Sequence, residues 1–155
     1  MNALRLAAVA AAVASLSAVA ASPFDAFKGK MKEGMYDYKM EMDMGSVPGM
    51  PPGMAKQTQA FQQCVTNQDI DKGGFSRGRE AKMPENCEIR DFKMSGSSAT
   101  YVMECKSNPA MKADSKITFV GDGFNMDVKM AMNQGGQVMN VTQKMTARYV
   151  GPCKK

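Results

Sequence analysis

The sequence predicts an all-β protein: a single antiparallel meander of about seven strands, forming a curved sheet or a small lipocalin-like barrel, behind an N-terminal signal helix. Three observations predict it. From Met35 to Met44 the residues alternate without a break, with Tyr36, Tyr38, Met40, Met42 and Met44 on one face and Asp37, Lys39, Glu41 and Asp43 on the other; period two over this length marks a half-buried strand. From Cys87 onward, segments of the same period recur at short, regular spacing between turns rich in Gly, Ser and Asn, as in all-β meanders, sandwiches and barrels. All four cysteines follow a segment that reads as an export leader, and an even number in an oxidising compartment reads as a disulfide framework.

The leader is Met1 to Ala21. It carries one cation, Arg5, then an alanine-rich apolar run from Leu6 to Val19 and small residues at Ala18 and Ala20, the three-part pattern of a secretory signal peptide. A spanning helix needs about 20 strongly apolar residues, and this run is shorter and stops at Ser22-Pro23. The reading is therefore a signal peptide over 1–21, cleaved near Ala20 or Ala21, and one β domain over 22–155. The first cysteine is Cys64, so a lipoprotein anchor has no attachment residue, and no transmembrane anchor is expected after cleavage. The expected location is the periplasm, with secretion as the further possibility. The remaining chain has the size of one domain, able to bury roughly two thirds of its unfolded surface.

Past the first strand, the Ser46 to Met54 stretch, with VPGMPPGM in it, is a loop, because proline removes donors and glycine loosens the chain. A more polar strand is expected over Gln57 to Val65. Thr66 or Asn67 offers a helix N-cap, with Asp69 in the first turn, but Gly73, Gly74, Gly78 and Pro84 confine any helix to a short turn inside a long basic loop. In the next strand Cys87 and Ile89 share one phase and Phe92 and Met94 the other, so a β-bulge is expected near Arg90 and Asp91. A turn at Ser95 to Ser98 leads into Ala99, Tyr101, Met103 and Cys105 on one face. Ile117 and Phe119 mark the following strand. Phe124, Met126, Val128, Met130 and Met132 form the cleanest inward face, and Met139, Val141, Met145, Ala147 and Tyr149 line the last strand.

Four cysteines permit three pairings. Counting back from the Ser95 to Ser98 turn sets Cys87 almost opposite Cys105 if the bulge corrects the register, which favours Cys87 with Cys105 and Cys64 with Cys153. Simple hairpins throughout would leave Cys153 at the far end of the sheet from the other three, so either the Gly151-Pro152-Cys153 tail folds across an edge or one connection is not a hairpin. Zinc is disfavoured, since short C-x-x-C pairs and histidine are both lacking.

The order of short segments resembles the exported bacterial family DUF3617. The pieces that carry the resemblance are Lys32-Glu33-Gly34-Met35-Tyr36, the VPGMPPGM loop, QCVT at Gln63 to Thr66, CEIRDFKMSG at Cys87 to Gly96, YVMEC ending at Cys105, and Val150-Gly151-Pro152-Cys153. Tyr36 stands where the family usually has tryptophan, and the loop from Asp71 to Pro84 is unusually basic. The resemblance implies a signal-bearing, mostly β envelope protein and assigns no activity.

The chain has 20 basic and 15 acidic residues, a mild excess spread among acids, so no cationic stripe suited to a phosphate backbone is present and nucleic acid is not an expected partner. Hydrolytic catalysis lacks a histidine base and a Gly-x-Ser-x-Gly elbow, and the cysteines lack a redox C-x-x-C; no catalytic residue and no cofactor are expected. Asp37, Glu41 and Asp43 read as a solvated strand face. Seventeen methionines are the compositional signal. Met40, Met42 and Met44 form a thioether row, and Met50 and Met54 lie in the loop. Thioethers suit Cu(I), but methionine is also an adaptable core filler. The reading is a non-enzymatic binding module for a small apolar ligand or an envelope protein partner, with Met40, Met42, Met103, Met126 and Met130 as the lining of any interior cavity. The alternative is soft-metal (copper) binding or oxidant scavenging, with Met40, Met42, Met44, Met50 and Met54 as candidates.

Overall fold

The computed structural model describes residues 23–45, 51, 53–76, 86–106, 109–134 and 136–153. The leader expected over 1–21 lies outside them, as do Met50 and the basic stretch 77–85. Seven strands form one antiparallel sheet: β1 (Gly34–Asp43), β2 (Lys56–Val65), β3 (Cys87–Ser95), β4 (Ser98–Cys105), β5 (Ala110–Val120), β6 (Gly123–Gln134) and β7 (Gln137–Gly151). A 3-10 turn at Pro23–Phe27, the short helix α1 (Asn67–Asp71) and a second 3-10 turn at Gly74–Ser76 accompany them.

The strand order is β2-β1-β7-β6-β5-β4-β3, which corrects the simple meander in two ways. β1 pairs with β7 as well as with β2, and the sheet is not closed into a barrel. Chain neighbours remain sheet neighbours except at one seam, between β2 and β3. Because every pairing is antiparallel, β2 and β3 run in the same direction. No hairpin can join parallel strands, so the chain after Val65 returns along the full strand length before entering β3.

That return accounts for the cysteines. Cys64, near the end of β2, and Cys153, just past β7, lie at one end of the sheet, where Met35 of β1 is registered with both Cys64 and Gly151. The tail crosses the start of β1 and the Cys64–Cys153 disulfide closes over it. Cys87 and Cys105 are registered partners at the opposite end and are also bridged. The bulge falls where expected: register shifts between Arg90 and Lys93, and Asp91 sits at φ 52°, a left-handed conformation that Asp tolerates better than most residues.

The N-cap forms at Thr66. Its hydroxyl accepts the Asp69 N–H, and the Asp69 carboxylate accepts the Thr66 N–H at 2.8 Å, a reciprocal capping box that starts α1 at the moment β2 ends. Ile70 and Phe75 then fall inward and are buried.

Outward-facing charges alternate in sign across the strands. Glu41 is registered with Lys144, Lys144 with Asp127, and Asp127 with Lys116. Opposite charges at facing positions favour this register, and a slip of one residue would turn the whole set inward. Asp37 accepts from Gln62 at 2.7 Å, Glu41 pairs with Lys39 at 2.7 Å, and Asp43 bonds the Gly45 N–H at 2.9 Å. The carboxylates noticed in the sequence are thus engaged on the outer face.

Candidate functional site: the inner face of the sheet

The inner face divides into an aromatic half and a methionine half. At the Cys64–Cys153 end, residues in no regular strand cover the sheet. Phe27 is fully buried, with its ring 5.6 Å from Phe75, 5.8 Å from Phe92 of β3 and 5.2 Å from Phe119 of β5. Phe75 is fully buried and 5.3 Å from Phe124 of β6, while the Tyr38 hydroxyl of β1 donates to the Phe75 carbonyl at 2.8 Å. A flat sheet would set β1 and β3, five strand spacings apart, at roughly 24 Å. Two phenylalanines bridge them, so the sheet curls around its aromatic plug.

Burial pushes the phenols of Tyr36 and Tyr38 above the usual tyrosine range; both stay neutral and serve as hydrogen-bond donors, Tyr36 to the Lys32 carbonyl at 2.8 Å. Gly34 shows how tightly this end is packed. A β-carbon there would stand 2.2 Å from the Tyr149 ring and 2.6 Å from the Gly151 carbonyl. Gln63 is buried beside Tyr36, and its side-chain oxygen accepts no hydrogen bond.

Toward the Cys87–Cys105 end the inner face changes chemistry. Met40 of β1, Met103 of β4 and Met130 of β6 pack on the core while remaining partly exposed, and Met42, at the next inward position of β1, is also partly exposed. Between them Val128 and Val141 are buried. Thioether side chains with three rotatable bonds fill irregular space and re-pack around different partners at low cost. Nothing charged faces inward at the registered positions of Met40, Met145 and Met126 or of Met130 and Ala113.

The structure places the sequence candidates as follows. Met40 and Met42 point inward from one strand. Met44 lies just past β1, its N–H bonded to the Ala55 carbonyl at 2.8 Å. Met54 is 62% exposed. Met126, expected in a cavity lining, is buried in the core together with Met145. Among the described residues, no group of three or more carboxylate, cysteine or histidine side chains is placed to hold a metal ion.

The comparison with protein families decides the affiliation: residues 31–153 match the family model described as a protein of unknown function, DUF3617. The chain belongs to the DUF3617 family. No curated protein and no solved structure matches it. The matched span of the DUF3617 domain begins at Met31, which is itself buried, and ends at Cys153, so it takes in both disulfides and all seven strands. Phe24 and Phe27 lie before the matched span, although they supply much of the plug.

The plug is not legible in the sequence. Phe24, Phe27 and Phe75 stand in turns without periodicity, where an aromatic residue carries no directional signal. Met111 is legible only through the alternation Met111, Ala113, Ser115, Ile117, in a strand that Ile117 and Phe119 mark more plainly.

Proposed function

We propose that this DUF3617 domain is a non-enzymatic binding module of the bacterial envelope, exported to the periplasm, that takes up a small apolar ligand on the methionine half of its inner face. One observation carries the reading: Met40 and Met42 of β1, Met103 of β4 and Met130 of β6 stand at inward positions of one face and stay partly exposed. A core that used methionine only as filler would hide it, as it hides Met126 and Met145. Soft, partly exposed thioethers on a concave apolar wall are suited to ligands recognised by shape more than by hydrogen bonding. Acid–base catalysis finds no support in the chain's composition, which lacks histidine.

Native mass spectrometry of the protein isolated from envelope extracts tests this. A retained organic mass is expected, lost when Met103 and Met130 are both replaced by glutamine in a variant that keeps its near-ultraviolet circular dichroism. Bare protein in all preparations, or an adduct indifferent to those replacements, would overturn it.

A further inference from the structure

At the Cys87–Cys105 end, five sulfur-bearing residues stand at consecutive registered positions on five adjacent strands. Met139 of β7 faces Met132 of β6, Met132 faces Met111 of β5, Met111 faces Cys105 of β4, and Cys105 faces Cys87 of β3. All share the phase of the inward residues Val141, Met130, Ala113 and Met103. We propose that the three thioethers, Met111, Met132 and Met139, form a binding site for a soft monovalent cation, Cu(I) in the envelope.

Facing residues on neighbouring antiparallel strands have α-carbons about 4.5–5.5 Å apart. Flexible methionine side chains from three such positions can therefore turn their sulfurs to one point, which three residues on one strand, about 7 Å apart at alternate positions, do less readily. Neutral thioethers select Cu(I) over the harder divalent ions, which want oxygen or nitrogen. The Cys87–Cys105 bridge flanks the trio as a disulfide, so no thiolate is spent on the metal. A comparison inside the same sheet distinguishes a site from core. Met40, Met145 and Met126 form a second registered row, but Met145 and Met126 are 3% and 6% exposed and closed to an ion. Met111, Met132 and Met139 are all partly exposed at the rim. Gly45, just past β1, lies against the carbonyl of Asn140, the neighbour of Met139, at this same end.

This site is separate from the apolar patch and does not depend on it. The test uses the folded, disulfide-intact protein with methionine methyl groups carbon-13 labelled, titrated with Ag(I) in chloride-free buffer as a redox-inert stand-in. One equivalent should shift the methyl signals of Met111, Met132 and Met139 together and leave those of Met126 and Met145 in place. Met132→Leu, which keeps core volume, should weaken Ag(I) binding and Cu(I) retention against a chromophoric Cu(I) chelator at least tenfold. Met42→Leu should change neither. Met139→Leu provides the second variant should Met132→Leu lose its fold. Shifts confined to Met54 and other methionines outside the trio, no saturation near one equivalent, or leucine variants that bind as the wild type does would overturn the proposal while leaving the apolar-ligand reading standing.

Discussion

The two disulfides close loops of very different length, and their contributions to stability should differ accordingly. Cys64 and Cys153 are 89 residues apart in sequence, Cys87 and Cys105 only 18. A cross-link acts mainly by restricting the unfolded chain, and in chain-entropy terms the long loop is worth about 4.6 kcal/mol and the short one about 3.2 kcal/mol at 25 °C. The difference, about 1.4 kcal/mol, is roughly tenfold in the folding constant. The comparison should not mix in side-chain loss, because Cys105 is 4% exposed and its truncation would add a cavity. Two variants avoid this, Cys87→Ala with Cys105→Ala and Cys64→Ala with Cys153→Ala, each unfolded in urea before and after reduction of its remaining bridge. Reduction then removes a cross-link and no atoms of the core. With a urea slope of about 2 kcal/mol/M, the variant keeping Cys64–Cys153 should lose about 0.7 M more in midpoint on reduction than the one keeping Cys87–Cys105. Equal losses, or a larger loss for the short loop, would place the effect in native contacts instead of the unfolded chain.

Two further predictions concern the plug. Phe27→Ala, at a fully buried position touching four other rings, should cost about 3–5 kcal/mol in urea unfolding; a loss below about 1 kcal/mol would mean that the plug does not hold the curl. Tyr38 should set an alkaline limit. Its folded pKa is raised above the ordinary 10.0 by burial, so above pH 10 the unfolded chain holds fewer protons than the native one, and stability falls as pH rises through that window. Tyr38→Phe should flatten the alkaline loss while costing about 1 kcal/mol at neutral pH, where the Phe75 carbonyl loses its donor; an unchanged slope above pH 10 would contradict this.

Most of the strands were legible because their faces differ. The outer positions of β1, β6 and β7 carry the charges and the inner ones carry Tyr, Phe, Met and Val, so period two is visible wherever one side meets water. The bulge at Asp91 and the cap at Thr66 were legible because each depends on local chemistry. What strands join was less so. Whether β2 continues into β3 by a hairpin depends on what lies between them, and the sequence over residues 66–86 carries no periodic pattern that would reveal it. The break in the strand order and the resulting placement of the four cysteines follow from that one connection. The candidate site was legible by composition but not by position. Met40 and Met42 were visible along β1, whereas the row Met111, Met132, Met139 exists only once β5, β6 and β7 are registered, a long-range property that no single segment encodes.

Methyl spectroscopy shows directly whether the methionine half of the inner face binds apolar molecules. The protein with carbon-13 labelled methionine methyl groups is titrated with the neutral apolar probe N-phenyl-1-naphthylamine. Saturable shifts are expected at Met40, Met42, Met103 and Met130, with Met126 and Met145 little changed. Spectra that do not move, or that move only at the exposed Met54, would contradict apolar binding there.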